Sequence, residues 1–282
     1  MRVGIIGYGF VGKAVRNGLK SPEEVCIIDP KLNTKEDDLL IFNAEIIFIC
    51  VPTPMNDDGS QDISILNNVI NNLKRKNITC PLILKSTILP DALEDISAEI
   101  PNVVYNPEFL REKHADEDFI NPSMIVIGSK DHSAINFLEY FYENFTNCNC
   151  RNFVKTDLIA ASLIKFTINS FLATKVSFFN ELNNLFSETK TYETWDNFIQ
   201  YLSYDIRLGN SHMSVPGHDR KFGFGGACLP KDSAAFLNYA ETQNIKLNLL
   251  NTAISVNNTI RQQYNNDQRE SDQNINFFEK NN

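Results

Sequence analysis

The G-x-G-x-x-G string formed by residues 7–12 constrains the fold of this chain more than any other feature of its sequence. It follows the apolar run 3–6 and opens an amphipathic stretch, which is the context of a strand, a tight turn and a helix. Glycines at this spacing let a pyrophosphate approach the backbone N–H groups and let the helix pack closely on the strand. Asp29 ends the next apolar run, 20 positions after Gly9, where a carboxylate accepts hydrogen bonds from ribose hydroxyls. We therefore predict a dinucleotide-binding site.

The expected cofactor is NAD, because a carboxylate at position 29 repels the 2′-phosphate of NADP. Ligands of open α/β sheets lie beyond the carboxyl ends of the strands, so the loops after the third and fourth predicted strands should reach the same molecule. The predicted cofactor contacts are Gly7, Tyr8, Gly9, Phe10, Val11, Gly12, Asp29, Lys31, Val51, Pro52, Thr53, Ser86 and Thr87.

The first half of the chain alternates short β-branched runs with amphipathic stretches, which is typical of an α/β fold with a doubly wound parallel sheet of the Rossmann type. We place this domain at residues 1–154. The predicted strands are 3–6, 25–28, 46–51, 82–85, 103–105 and 125–127.

From residue 155 the pattern becomes helical. The run 157–188 is apolar on nearly all sides, so we expect a buried helix that packs against a second copy of the chain to form a homodimer. We predict an all-helical central domain at 155–264, which holds the dimer interface and the chemical site. The polar segment 265–282 is expected to be a disordered tail.

Composition excludes several classes of partner and site. The net charge of −9 is the wrong sign for a protein that binds a nucleic-acid backbone. The apolar runs are far shorter than the ~20 residues of a membrane span, so no membrane is expected. The N-terminus shows no secretory signal, which predicts a cytoplasmic protein. Six scattered cysteines indicate reduced thiols, and no His or Cys spacing predicts a metal site.

Cys228 is the candidate nucleophile, since it lies between a glycine-rich turn and a helix that begins with Pro230. A helix N-terminus lowers the pKa of a thiol. The alternative is a small residue that packs under the turn. Lys165 and Asn169 are four positions apart in the apolar helix, and both are donors suited to an oxyanion; Asn180 follows on the same stripe.

These motifs resemble those of the UDP-glucose/GDP-mannose dehydrogenase family. The matching segments run in family order from residue 1 to about 262, and Gly223-Phe-Gly-Gly-Ala-Cys-Leu-Pro-Lys-Asp232 is the most specific of them. The others are 7–12 with Asp29, 51–54, 85–87, 106–112, 163–166 with Asn169, 179–181 and 204–207. The resemblance implies NAD-dependent oxidation of a nucleotide-sugar C6 alcohol to the uronate, with UDP-glucose as the first substrate to consider. It also implies a short form without the C-terminal nucleotide-sugar-binding domain.

The resemblance implies a role for each matching residue. Cys228 would form a thiohemiacetal and then a thioester, Lys165 and Asn169 would hold the oxyanion, and Asp232, Thr87 and Glu112 would complete the catalytic set. Arg207 would reach the substrate of the neighbouring subunit. The implied substrate contacts are Glu108, Phe109, Leu110, Arg111, Lys165, Asn169, Arg207, Phe222, Gly223 and Gly225.

Two other functions remain open. One is a single-step NAD-dependent dehydrogenase of a smaller alcohol, and the other is a non-catalytic NAD-binding partner of a longer enzyme. We also hypothesise that cations of the loop 205–226, among them Arg220 and Lys221, grip the diphosphate of the substrate, although a solvated polar loop is the alternative.

Overall fold

The computed structural model describes residues 1–100 and 102–277, which form two compact units. The first unit comprises Met1–Thr53 and Asp62–Lys165, and the second comprises Pro54–Gln61 and the chain from Phe166 onward. The division falls inside a long helix, whereas the sequence places the domain boundary just before that helix, at 154–155.

A seven-stranded sheet forms the centre of the first unit. Its strands are β1 (Val3–Ile6), β2 (Val25–Ile28), β3 (Ile46–Ile49), β4 (Leu82–Leu84), β5 (Val103–Tyr105), β6 (Ile125–Gly128) and β7 (Phe153–Thr156). Their order is β2-β1-β3-β4-β5-β6-β7, and all neighbours are parallel except β5 and β6, which pair antiparallel at Tyr105 and Gly128. The predicted α/β class is confirmed. The sequence prediction omits β7, a short edge strand whose residues are only partly buried.

Helices cover both faces of this sheet, because strand side chains alternate between the two sides. The helices are α1 (Phe10–Gly18), α2 (Asp37–Phe42), α3 (Ser64–Arg75), α4 (Pro90–Glu99), α5 (Ala115–Ile120) and α6 (His132–Phe145). Ile47 and Ile49 of β3 pack with α2, α3 and α4, while Ile46 and Phe48 pack with α1, α5 and α6. Since β1 lies between β2 and β3, the chain changes direction across the sheet at the carboxyl end of β1, which is where such sheets bind ligands.

The second unit is helical, as predicted. Helix α7 (Leu158–Glu188) begins in the first unit and continues into the second, and it matches the predicted helix at 157–188. In the second unit Phe166 stacks on Phe236, and Phe179 packs with Met213 and Val215. The remaining helices are α8 (Trp195–Ser203), α9 (Leu229–Thr242), α10 (Asn248–Arg261) and α11 (Gln268–Asp272).

Among the described residues, α7 is the one helix long and apolar enough to cross a membrane. The core helix of a water-soluble protein meets the same criterion. Polar side chains of α7 bond to other helices of the second unit: Ser177 Oγ donates to the Ala253 carbonyl at 2.8 Å, and Asn169 donates to Asp232 at 2.6 Å. These bonds tie α7 to the other helices of the second unit.

The prediction of a disordered tail is wrong for residues 265–277. Asp267 and Glu270 form a capping box that begins α11, and Glu270 is fully buried. Ile275 and Phe277 pack on Met55 in a small apolar cluster. The polar composition of this segment thus conceals four anchoring side chains, Asp267, Glu270, Ile275 and Phe277. Residues 278–282 of the predicted tail lie outside the described residues.

Candidate active site

The glycine-rich turn lies between β1 and α1, as predicted. Gly7 adopts φ +90°, and a Cβ at Gly12 would lie 2.1 Å from the carbonyl oxygen of Gly7, so these two positions require glycine. Gly9 precedes the first residue of α1, and apart from its two chain neighbours no described residue has an atom within 4 Å of the Cβ position there. The open space in front of a helix N-terminus fits the approach of a pyrophosphate.

Asp29 is held at the end of β2 by two backbone donors. The N–H groups of Tyr8 and Lys31 donate to its two carboxylate oxygens at 2.7 and 2.8 Å. The carboxylate is therefore fixed beside the glycine-rich turn, with lone pairs left for the ribose hydroxyls of a dinucleotide. The Lys31 side chain is exposed, while Phe10 and Val11 form the first turn of α1.

The loops after β3 and β4 are tied together by buried hydroxyls. Thr53 Oγ1 donates to the Thr87 carbonyl at 3.0 Å, and Ser86 Oγ donates to the Val51 carbonyl at 2.6 Å. Pro52 is exposed between them. The structure thus brings the predicted cofactor residues of these two loops to one edge of the sheet.

Lys85 places a buried ammonium next to these loops, and the sequence analysis gave this residue no role. Its Nζ donates to Asn106 Oδ1 at 3.0 Å and to Tyr142 Oη at 3.4 Å. Burial lowers the pKa of Lys85 to about 8, and it raises the pKa of the neighbouring Cys50 thiol to about 12.

Lys165 and Glu108 form a buried ion pair in the first unit. Lys165 Nζ donates to the Glu108 carbonyl oxygen at 2.5 Å and lies 3.2 Å from Glu108 Oε1. The ammonium also lies 5.2 Å from the centre of the Phe109 ring. Glu108 Oε2 in turn accepts from the Leu110 N–H at 2.6 Å. The structure therefore joins a predicted oxyanion donor to three predicted substrate contacts.

The next two predicted residues of this segment are exposed. Arg111 is exposed, and its guanidinium makes a two-point contact with Asp118 at 2.6 and 3.0 Å, which raises the pKa of the arginine. Glu112 is exposed at the start of a short 3₁₀ helix. Arg111 is therefore paired with Asp118 in this structure.

In the second unit Cys228 occupies the position that precedes α9, as predicted. Its carbonyl oxygen accepts from the Asp232 N–H at 2.9 Å, and Pro230 lies in the first turn of the helix. The thiol is partly exposed. A partly exposed cysteine at a helix N-terminus has the surroundings of a reactive thiol.

Asp232 lies one turn farther along α9, and only 1% of it is exposed. Asn169 Nδ2 donates to Asp232 Oδ2 at 2.6 Å, and Lys231 Nζ donates to Asp232 Oδ1 at 2.6 Å. A carboxylate with an amide and an ammonium as neighbours has the chemistry of a proton acceptor. Within this unit the structure thus joins two predicted catalytic residues.

The remaining predicted substrate contacts lie in or next to the loop 205–226. Arg207 is exposed and pairs with Asp205 at 2.5 Å, and Phe222 is exposed, while Gly223 is buried. Lys221 Nζ donates to the Asn265 carbonyl at 2.7 Å, and the hypothesised diphosphate grip stays a prediction.

Side chains that the sequence did not predict hold the glycine-rich loop before Cys228. Asn257 accepts from the Phe224 N–H at 2.6 Å and donates to the Phe224 carbonyl at 3.0 Å. Asn180, expected on the oxyanion stripe, accepts instead from the Gly223 N–H at 2.9 Å. Arg261 and Glu270 form a buried ion pair at 2.5 Å. The spacing Asp267-x-x-Glu270 was the one available signal, since it is a helix-capping pattern.

No group of three or more His, Cys, Asp and Glu side chains within 1–100 and 102–277 is placed to hold a metal ion. The residues of the first unit do fit a dinucleotide, given the open space at Gly9 and the fixed carboxylate of Asp29.

Comparison with known proteins agrees with this geometry. Residues 24–146 match the NAD-binding domain of the UDP-glucose/GDP-mannose dehydrogenase family, and residues 159–259 match its central domain. A protein of Rickettsia felis named UDP-glucose 6-dehydrogenase is 35% identical over 222 residues, which are 76% of this chain and 48% of that protein. A protein of Haloferax volcanii of the same activity name is 30% identical over 244 residues, 80% of this chain and 55% of that protein.

A solved structure described as a UDP-glucose dehydrogenase from Pyrobaculum islandicum is similar in fold. Its TM-score is 0.73 at 25% identity, and the match covers 91% of this chain and 68% of that chain. The chain thus spans about half the length of the curated relatives it matches.

Proposed function

The chain belongs to the UDP-glucose/GDP-mannose dehydrogenase family, and on that basis we propose that it is an NAD-dependent dehydrogenase that oxidises the C6 alcohol of a nucleotide sugar to a carboxylate. UDP-glucose is the substrate we propose first, because the Rickettsia felis relative is named for it. The observation that carries the proposal is Cys228 at the start of α9, one turn from the buried carboxylate of Asp232.

The proposed reaction is two oxidations joined by a covalent intermediate. The alcohol first loses a hydride and a proton to give an aldehyde. The Cys228 sulfur then bonds to the aldehyde carbon, and the resulting thiohemiacetal loses a second hydride and proton to give a thioester. Water breaks the carbon–sulfur bond, which releases the carboxylate and restores the thiol. Bound NAD supplies the hydride acceptor for both oxidations, one molecule after the other.

Each predicted catalytic residue has a proposed part in these steps. Lys165 and Asn169 hold the oxyanion that develops when the carbonyl carbon is attacked, since both present N–H donors from a buried position. Asp232 takes a proton from the thiol or from the hydrolytic water, assisted by Thr87. Glu112 acts near the reacting carbon once substrate is bound. The contact with Glu108 gives the buried Lys165 ammonium an ion-pair partner.

The proposed assembly is a homodimer through α7. Phe171, Phe178 and Leu185 are more than half exposed and recur every seven residues, so they form one apolar stripe on the helix. A second copy of the chain is the occupant we propose, and Arg207 would then serve the substrate of the partner subunit.

The experiment that tests the function is an end-point count of NADH formed per molecule of nucleotide sugar. We expect two NADH per UDP-glucose from the wild type and the loss of the second in Cys228→Ala. Cys80→Ala is the matched control, because Cys80 precedes β4 while the predicted residues Ser86 and Thr87 follow it, and this variant should leave the count at two. GDP-mannose and UDP-N-acetylhexosamines are assayed beside UDP-glucose to identify the sugar.

Other counts would identify the other two functions. One NADH per molecule, from a smaller alcohol only, would indicate a single-step dehydrogenase. No NADH from any substrate, while NAD still raises the melting temperature, would indicate an NAD-binding partner protein.

A further inference from the structure

The loop that leads to Cys228 is held by buried side chains from three separate helices. Gly223 and Phe224 bond to Asn180 of α7 and Asn257 of α10, as described above. The third bond is the nearest of them to Cys228 along the chain: the Gly226 N–H donates to Glu270 Oε1 of α11 at 3.0 Å. Gly226 is two residues before Cys228, so Glu270 holds the backbone immediately before the proposed nucleophile.

Glu270 is a carboxylate with no exposed surface, and its charge is compensated from several sides. Arg261 Nη2 donates to the same oxygen, Oε1, at 2.5 Å, and Lys221 Nζ lies 4.0 Å from Oε2. The Asp267 N–H donates to Oε2 at 2.9 Å. Arg261 is itself held by Asp219 at 2.7 Å. A fully buried carboxylate is retained only with such partners, and here one of its bonds goes to the loop.

Gly225 shows how closely the loop lies on this ion pair. A Cβ at position 225 would lie 2.2 Å from Arg261 Nη2 and 2.3 Å from Glu270 Oε1. The loop backbone therefore rests directly on the charged atoms of the pair. A change in the position of Glu270 must be passed on to residues 225 and 226, because no space separates them.

The tail has a second anchor that does not involve Glu270. The Met55 N–H donates to the Gln273 carbonyl at 3.0 Å, and Ile275 and Phe277 pack on Met55. Loss of the Glu270 carboxylate therefore leaves α11 attached on its other side. Glu270 also lies beyond residue 259, where the match to the family's central domain ends, so the resemblance assigns it no role.

We propose that Glu270 is a positioning residue for Cys228: its carboxylate, oriented by Arg261, fixes the Gly226 peptide and with it the loop that presents the thiol at the start of α9. The inference rests on the proposed role of Cys228 as nucleophile and adds a part of the chain outside the matched family region.

The test compares Glu270→Ala, which removes the acceptor for the Gly226 N–H, with Glu270→Gln, which keeps an acceptor oxygen at the same reach. The control is Asp272→Asn, an exposed carboxylate on the same helix that bonds to Gln268. The readout is the pH dependence of alkylation of Cys228 by iodoacetamide, followed by mass spectrometry of the peptide that contains it. Thermal unfolding of each variant is recorded beside it.

We expect the midpoint of the alkylation profile to move upward by at least about 0.5 pH unit in Glu270→Ala, because a displaced thiol loses the helix N-terminus that favours its charged form. Glu270→Gln should recover at least half of this shift, and Asp272→Asn should match the wild type. A change in the exposure of the Cys228 thiol alone would alter the alkylation rate at high pH and leave the midpoint of the pH profile unchanged. Should Glu270→Ala not fold, Glu270→Asp replaces it, since the shorter side chain draws the acceptor away from Gly226.

Equal midpoints in the wild type and in the folded Ala or Asp variants would overturn the positioning role. This readout needs no turnover, so it separates the inference from the proposed function, whose failure would appear as an unchanged NADH count in Cys228→Ala. With turnover, Glu270→Ala should lower kcat about tenfold and leave the KM for NAD unchanged.

Discussion

Lys85 brings a positive charge into the interior of the first unit. Its ammonium contacts Asn106 and Tyr142, and the charged or titratable groups that act on it are Cys50, Glu108, Lys165 and Cys148. Burial makes the charged form costly and lowers the pKa of Lys85 to about 8 from an ordinary value of 10.5. The folded protein therefore releases this proton at a lower pH than the unfolded chain does.

We predict that this lysine makes the protein more stable as the pH rises from about 8 to 10.5. In that range the unfolded chain binds a proton that the folded chain lacks, and 2.5 pKa units correspond to about 3 kcal/mol of unfolding free energy. The Cys50 thiol, with its pKa raised to about 12, acts in the opposite direction, so the informative quantity is the difference between the wild type and Lys85→Met. That difference should move in favour of the wild type by up to about 3 kcal/mol.

Urea unfolding at pH 7.5, 9 and 10.5 measures this difference. Lys130→Met is the control, since Lys130 is exposed and its replacement should have the same effect at every pH. A constant difference between the wild type and Lys85→Met would contradict the assignment of a lowered pKa.

At the scale of residues, the sequence predicted which side chains are candidates for the site better than it predicted the contacts between them. Cys228, Asp232 and Asn169 were singled out by motif and spacing, and the structure joins Asn169 to Asp232 across 63 positions of sequence. Lys165 was predicted as an oxyanion donor and Glu108 as a substrate contact, but the ion pair between them depends on how α7 packs on the sheet. Periodicity within one helix carries no information about such long-range contacts.

At the scale of elements, two glycines of the turn between β1 and α1 have different roles. Gly12 allows α1 to pack on β1, and Gly9 leaves space for a ligand. A Cβ at Gly12 would collide with the backbone of Gly7, whereas a Cβ at Gly9 would enter open space. We predict that Gly12→Ala destabilises the protein by about 1–3 kcal/mol, because α1 must move off β1. Gly9→Ala should change stability by less than about 0.5 kcal/mol and yet weaken NAD binding at least tenfold, since the new methyl group occupies the space of the pyrophosphate.

Urea unfolding and calorimetric titration with NAD measure the two effects separately. The control variant is Ser21→Ala, at an exposed position after α1. A second glycine such as Gly209 is unsuitable as a control, because its φ of +65° would strain an alanine. Full NAD affinity in Gly9→Ala would show that the pyrophosphate does not lie over this turn.

Elements were predicted well where their own sequence carries a clear apolar pattern and poorly where it does not. The strands β1 to β6 and the helix α7 follow from apolar runs and helical spacing. The edge strand β7 and the helix α11 did not, because β7 is only partly buried and α11 is held by three specific side chains, Arg261, Asp267 and Glu270. A composition rich in Asn, Gln and Asp hides such contacts.

At the scale of the whole molecule, the exposed apolar stripe of α7 is the surface through which we propose that two copies of the chain associate. Phe171, Phe178 and Leu185 are 65%, 59% and 64% exposed, and three large apolar side chains in one row are costly to leave in water. Their seven-residue spacing fits the packing of a helix against a copy of itself. We predict that Phe178→Glu, at the centre of the row, raises the dissociation constant of the dimer by roughly 100-fold or more, because the carboxylate would be buried without a partner.

Sedimentation equilibrium over a range of micromolar concentrations measures this constant. The matched control is Ile41→Glu, which places the same charge at an apolar side chain that is 85% exposed on α2 and should leave the dimer intact. A dimer gains stability with concentration and a monomer does not, so the melting temperature of the wild type and of Ile41→Glu should rise on tenfold concentration, while that of Phe178→Glu stays constant. A wild type that sediments as a monomer at every concentration would exclude the proposed interface, and Arg207 would then have no partner site to reach.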